Sequence, residues 1–168
     1  MADRNVESDM LGVPKINETL EILLLQTIDE AQNLLEQDTE VTPFTALIMG
    51  DQVFEETHPG NTDESFASAQ RVVEGAKGAA AYAFCYDGYI ETDAGTKDAI
   101  IAEGGVPGEA EGVALGLIYA IDEEGTYTFE DEVCYIAACP NYLADAEPVD
   151  PIIPDAEDIE EAETDSEE

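Results

Sequence analysis

A single histidine, His58, and three cysteines, Cys85, Cys134 and Cys139, are the side chains of this chain best suited to nucleophilic or metal chemistry. Cys85 with His58 would make a nucleophile and its base. His58 with all three thiols would make a Cys3His zinc set. The local context argues against both. His58 stands beside Pro59-Gly60, the setting of an exposed loop residue, and the cysteine spacings match no ligand pattern. Cysteines in apolar strands act as small core side chains. Cys134 and Cys139 fall on opposite faces of a regular strand, which disfavours a bridge between them. The expectation is of reduced thiols.

Carboxylates are abundant, but their spacing fits no cation loop. A calcium loop of the EF-hand type needs acids at alternating positions, a central glycine and a terminal glutamate. Asp122-Glu123-Glu124-Gly125 places its glycine too early, and Asp93-Ala94-Gly95-Thr96-Lys97-Asp98 also fails. Gly104-Gly105-Val106-Pro107-Gly108 lacks the Lys-Ser/Thr and the spacing of a phosphate loop. Glu103, Glu109 and Glu111 beside it would repel phosphate. Glu103, between Ala102 and Gly104 after an apolar strand, is the first carboxylate to consider for acid–base work; the bland reading is a charged strand end, and a deep pocket near Glu103 and Tyr86 would favour an enzyme. No catalytic, cofactor-binding or metal-binding residue is assigned, and no cofactor is expected.

The charge bounds the function more firmly than any motif. Forty-one acids against five bases give a net charge of -36 over 168 residues. Phosphate recognition needs clustered Lys and Arg, whereas Arg4, Lys15, Arg71, Lys77 and Lys97 are scattered. The chain is therefore expected to bind neither nucleic acid nor anionic membranes. It starts without a basic region and apolar run of the export type. No segment approaches the roughly 18 apolar residues of a spanning helix. With reduced thiols, this points to the cytoplasm.

These groups must be held by elements the sequence also suggests. Residues 1–14 read as a flexible arm. Asn17 caps a helix with apolar residues at Leu20, Leu23, Leu24, Ile28, Ala31 and Leu35, ending near Gln37. Val41–Met49 and Gln52–Thr57 form a hairpin about Gly50-Asp51. Asn61 with Glu64 opens a second helix with a capping box, closed near Gly78. Four strands follow. In the first, Ala81, Ala83 and Cys85 alternate with Tyr82, Phe84 and Tyr86, small residues suited to a close helix contact. Asp87-Gly88 is a bulge or a tight turn. Val113–Ile121 is apolar on both faces and belongs in the middle of the sheet. Tyr127, Phe129, Val133 and Tyr135 continue it, with Asp131 at a bulge.

The resulting expectation is an α+β domain over residues 15–143, in the order α-β-β-α-β-β-β-β. A mainly antiparallel sheet of five or six strands carries two helices on one face. Profilin-like and roadblock-like folds have a related element order, an analogy of topology that transfers no activity. Residues 144–168 carry Pro148, Pro151 and Pro154, many acids and no base. They read as a disordered acidic tail, with Pro151-Ile152-Ile153-Pro154 its one apolar spot.

Tyr86-Asp87-Gly88-Tyr89-Ile90, followed by Lys97-Asp98-Ala99-Ile100-Ile101-Ala102-Glu103, resembles a strand pair in a family of small uncharacterised bacterial proteins. The resemblance covers about twenty residues. It implies no activity and transfers no functional residue.

Three origins of the acidity compete: adaptation to salt, imitation of DNA phosphates, and proteome bias with a solubilising tail. Omitting residues from Asp145 onward removes twelve acids and still leaves twenty-nine against five bases. The core is acidic in its own right, and its acids fall in turns, helix backs and strand ends rather than in one stripe. Salt or proteome bias is therefore favoured over mimicry. The expected role is a non-catalytic interaction or accessory module, with a protein partner or self-association left open. The alternatives are a DNA-mimic inhibitor of a nucleic-acid-binding protein, and a small-ligand or enzyme domain with its pocket between helix and sheet.

Overall fold

The computed structural model of the chain describes residues 15–148. The expected arm at 1–14 and residues 149–168 of the expected tail lie outside the described residues.

Helix α1 (Glu18–Glu36) starts where expected. The Asn17 side-chain oxygen accepts the Leu20 N–H at 3.1 Å, satisfying one of the donors that a helix start leaves open. Leu20, Leu23, Leu24, Ile28, Ala31 and Leu35 form its buried stripe. The helix stops at Asp38, whose φ of 60° is left-handed. Helix α2 (Thr62–Gly75) carries the full reciprocal box between Asn61 and Glu64.

Among the described residues seven strands form one antiparallel sheet: β1 (Phe44–Met49), β2 (Gln52–Thr57), β3 (Ala79–Thr92), β4 (Gly95–Gly105), β5 (Glu111–Ile121), β6 (Tyr127–Phe129) and β7 (Cys134–Pro140). The order across the sheet is β2-β1-β3-β4-β5-β6, and β7 also pairs with β5. The α+β class holds. The Asp87-Gly88 ambiguity resolves as uninterrupted strand, with Asp87 opposite Ile100 and Gly88 opposite Ala99. The chain from Tyr127 to Tyr135 is not one strand. It breaks after Phe129, and β6 and β7 pair with different halves of β5.

The placement of the helices corrects the expectation. They lie on opposite faces, making three layers. Leu20, Leu24 and Ile28 of α1 share a core with Phe44, Ala46, Ala81, Ala83, Cys85, Ile100, Ala102, Leu115 and Leu117. Val73 of α2 packs with Leu47, Tyr82 and Leu143. The reason lies in β3. Its small residues Ala81, Ala83 and Cys85 let α1 approach closely, but its alternate residues Tyr82 and Phe84 are equally apolar and need cover on the other side. Phe66 of α2 supplies part of it, meeting Phe84 edge-on with ring centroids 4.9 Å apart.

Among the described residues no helix is long and apolar enough to cross a membrane.

Candidate functional site

Strand β1 and helix α2 together decide the environment of His58. Far from being an exposed loop residue, it is 1% exposed. Its Nε2 lies 2.9 Å from Thr45 Oγ1 and its Nδ1 2.8 Å from Ser68 Oγ. Its own N–H donates to Pro43 O at 2.7 Å, and its carbonyl accepts from Ser65 Oγ at 2.6 Å. Hydroxyls both donate and accept, so either neutral tautomer is satisfied. Burial lowers the pKa; the Glu56 charge opposes this and Arg71 adds to it. His58 is a neutral clasp between the hairpin and α2.

The cysteine pairings are excluded by the same geometry. Cys85 faces α1, its sulfur 3.5 Å from Thr27 O, while His58 sits on the α2 side of the sheet. Burial pushes the Cys85 thiol far up, so it is held as an unreactive thiol. Cys134 and Cys139 correct the parity argument. A register shift in β7 sets them opposite Gly116 and Gly112, positions on one face of β5. A bulge inserts one residue and so reverses the alternation beyond it. Among the described residues, Cys85, Cys134 and Cys139 form no disulfide. Among the described residues, no group of three or more His, Cys, Asp or Glu is placed to hold a metal ion.

The structure brings Glu103 and Tyr86 together. Glu103 lies opposite Phe84 on β4, one position diagonal from Tyr86. The Tyr86 hydroxyl donates to its carboxylate at 2.5 Å. Burial raises the Glu103 pKa and the tyrosine hydrogen bond pulls it back down. Cys139 is also near, its thiol pushed up to about 12 by burial and by the Glu103 charge. The concave regions of the surface lie elsewhere. One of about 730 Å³ is lined by Glu74, Lys77, Tyr142 and Leu143, and one of about 660 Å³ by Lys97, Tyr119, Phe129 and Glu130. Neither is lined by Tyr86 or Glu103. A matching device stands on the α1 face, where the Tyr119 hydroxyl donates to Asp87 at 2.6 Å. Each pair ties one strand to another. Lys97 and Asp98, opposite Ile90 and Tyr89, lie on exposed strand surface.

The glycine loop 104–108 is a latch. Asn141 Nδ2 donates to Val106 O at 2.9 Å and to Glu109 O at 2.8 Å. The Tyr82 hydroxyl donates to Pro140 O and accepts from Tyr142 N–H. These bonds hold residues 140–143 against the loop and occupy the Val106 carbonyl within the fold.

What stays open is the sheet edge. Among the described residues β2 pairs with β1 alone, and all six of its residues are exposed. Val53 is 49% exposed and Phe54 51%. The hairpin turns through Gly50 (φ 65°) and Asp51, a glycine-first two-residue turn that fixes the register. Met49 and Gln52 flank that turn as the hydrogen-bonded pair, so hydrogen-bonded pairs recur at Leu47–Phe54 and Thr45–Glu56. The His58 N–H to Pro43 O bond continues the same alternation. Val53, Glu55 and Thr57 therefore direct their N–H and C=O outward. Beside them a cleft of about 390 Å³ is lined by Glu30 and Leu34 of α1, Glu40, Phe44, Glu55 and Glu56. Burial, then the hydrogen bond and charge of Glu30, pushes the Glu55 carboxyl up to about 7.

Sequence reasoning did not mark Val53, Phe54, Glu55 or Glu30 as a site. The available signal was Val53-Phe54, adjacent apolar residues on both faces of a strand whose other positions are polar. No protein-family model matches the chain, and neither a curated protein nor a solved structure does.

Proposed function

We propose that this protein is a small, acidic, cytoplasmic interaction module without catalytic activity, and that β2 is its working surface. The observation that carries the reading is the contrast between the reactive groups and the edge. His58, Cys85 and Glu103 are each held by partners inside the fold. The edge of β2 offers unpaired backbone groups flanked by two exposed apolar side chains. An open, apolar edge strand is a template for pairing with another chain. Its isolated apolar neighbours would be unremarkable alone; the backbone alternation is what gives them direction.

The acids act as surface in this reading. They occur on the outer side of α1 (Glu21, Asp29, Glu36), in the 122–124 turn and along β2. That spread suits hydration and mutual repulsion between copies rather than a phosphate-like row. Glu55 and Glu56 keep one copy's edge from meeting another's, a role that charged edge residues commonly serve.

The test is site-specific photo-crosslinking in cells, with the reactive group placed in turn at Phe54, Tyr89, Ile121 and Leu25, all exposed apolar positions. The expected result is one discrete adduct at position 54 and none at the other three. No discrete adduct at any position, with the protein folded and expressed, would contradict an interaction role.

A further inference from the structure

We propose that β2 takes up an extended, basic segment of another protein, which pairs with the outward backbone of Val53, Glu55 and Thr57 and seats a lysine or arginine between Glu30 and Glu55. This rests on the interaction reading above and goes further by specifying the occupant.

The choice of edge comes first. Among the described residues the sheet is also open along β7, which is broken by a register shift and ends in Pro140, and along the second half of β3 beyond Cys85, which β1 does not reach and which does not line the acidic cleft. Bulges and prolines blunt an edge. β2 runs six residues in unbroken register with β1 and contains neither.

The choice of occupant follows from charge. A second copy would bring another chain of net charge -36 and set its own Glu55 and Glu56 near this edge. Like charges facing each other across a strand pair are destabilising. The chain's own C-terminal stretch is no better: residues 149–168 hold ten acids and no base. A basic strand from a different protein is the complement.

The position of the cation is set by pairing geometry. Residues directly opposite one another on neighbouring strands point their side chains to the same face. Val53, Glu55 and Thr57 share the α1 face, as their partners Ile48, Ala46 and Phe44 do. The partner residue opposite Glu55 therefore projects over the 390 Å³ cleft and meets Glu30 and Glu55. Two residues along, its neighbour lies over exposed Val53. In antiparallel pairing this reads, from the partner's N-terminus, as basic, any residue, apolar. The groups facing the cation are Glu30 from α1, Glu40 from the α1–β1 connection and Glu55 from β2, with Glu56 turned to the other face of the strand at the cleft margin; among the described residues no base lines the cleft.

A consequence concerns protons. Burial, then the hydrogen bond and charge of Glu30, raises the Glu55 carboxyl to about 7, so Glu55 carries a proton over part of the neutral range. An arriving cation favours the ionised carboxylate and displaces that proton. Binding therefore releases a proton, and affinity rises as pH increases from 6 to 8. The only step is proton loss to solvent; no bond other than O–H is broken.

The experiment uses the full chain and an acetylated, amidated octapeptide of sequence Thr-Lys-Thr-Val-Thr-Lys-Thr-Val at 0.15 M salt, read by amide hydrogen exchange and titration calorimetry. Expected are protection of the Val53, Glu55 and Thr57 amides, a roughly tenfold loss of affinity with Glu55→Gln, and proton release near pH 7 that this variant abolishes. A peptide with Glu replacing Lys should not bind. The Lys peptide N-methylated on its edge-facing amides should also fail, a control independent of how the protein variants fold. Protection on β7 or α1 instead of β2, equal binding of the Glu peptide, or no binding of any peptide would overturn the proposal. A position-54 crosslink in cells together with failure of the basic peptide would reject this occupant and leave the interaction role standing. Absence of both would reject the role itself.

Discussion

Replacing His58 by alanine separates a structural histidine from a catalytic one. The imidazole is 1% exposed and contacts two hydroxyls, Thr45 Oγ1 at 2.9 Å and Ser68 Oγ at 2.8 Å. Thr45 is itself fully buried, so its hydroxyl would lose a partner without gaining water. A buried polar group left unpaired costs about 1–3 kcal/mol, and the vacated ring volume adds a cavity contribution. Together these give a loss of about 4 kcal/mol. The assay is urea denaturation of wild type and His58→Ala at several pH values. In the folded state the His58 pKa is lowered from 6.5 by burial. The unfolded chain therefore binds the extra proton first. Wild-type stability falls as pH drops below 6.5 and is fully present above it, with a limiting slope of about 1.4 kcal/mol per pH unit. The variant lacks this contribution, so the gap between the two proteins narrows from pH 8 to pH 5. Carboxylates titrate in both proteins and cancel in the difference. A variant within 0.5 kcal/mol of wild type (about the scatter of a surface substitution), or a gap independent of pH, would refute the clasp.

Three further outcomes are expected. Gly104→Ala should destabilise by about 1–3 kcal/mol, because the new methyl would overlap the Tyr82 carbonyl and crowd Leu20 and Leu24 at 3.0 and 3.1 Å; a thermal midpoint equal to wild type would deny the close approach of α1 to the sheet. Tyr86→Phe removes the donor that counters burial at Glu103, so the Glu103 carboxyl, followed by NMR, should titrate at higher pH than in wild type; since this group already titrates above its usual 4.5 in the folded state, its contribution to stability is present at low pH and is lost as pH rises through the folded value. An unchanged titration would contradict the assigned bond. Raising KCl from 0.1 to 1 M shortens the screening length from about 10 to about 3 Å, so the denaturation midpoint of a chain of net charge -36 should climb; a flat or falling midpoint would show that self-repulsion is not what limits stability.

Much of the fold was legible because local signals and packing agreed. The Leu20-to-Leu35 stripe, the Asn17 cap and the Asn61–Glu64 box each specify a helix boundary through short-range bonds. Gly50-Asp51 specifies a hairpin and its register by turn geometry alone. The small face Ala81-Ala83-Cys85 marked where a helix would come close. The opposite-face placement of α2 was not read, although Tyr82 and Phe84 carried its signature: a strand apolar on both sides needs two covers. The β6–β7 break depends on the two strands pairing with different halves of β5 and on the register shift in β7, both long-range choices. The site was the least legible part. The Tyr86–Glu103 contact depends on the β3–β4 register, which the sequence does not set, and His58 reads as a loop residue in sequence. Only the fold closes Thr45 and Ser68 around it. The openness of β2 is likewise a property of sheet order, since nothing within Gln52–Thr57 says that no further strand lies beyond it.

The most direct measurement is residue-resolved amide hydrogen exchange along β2 in the isolated protein. The Gln52, Phe54 and Glu56 amides, turned toward β1, should exchange slowly, and those of Val53, Glu55 and Thr57 at nearly the rate of an unstructured chain. Slow exchange at all six would mean that another segment already covers this strand, and the docking role assigned to it would be wrong.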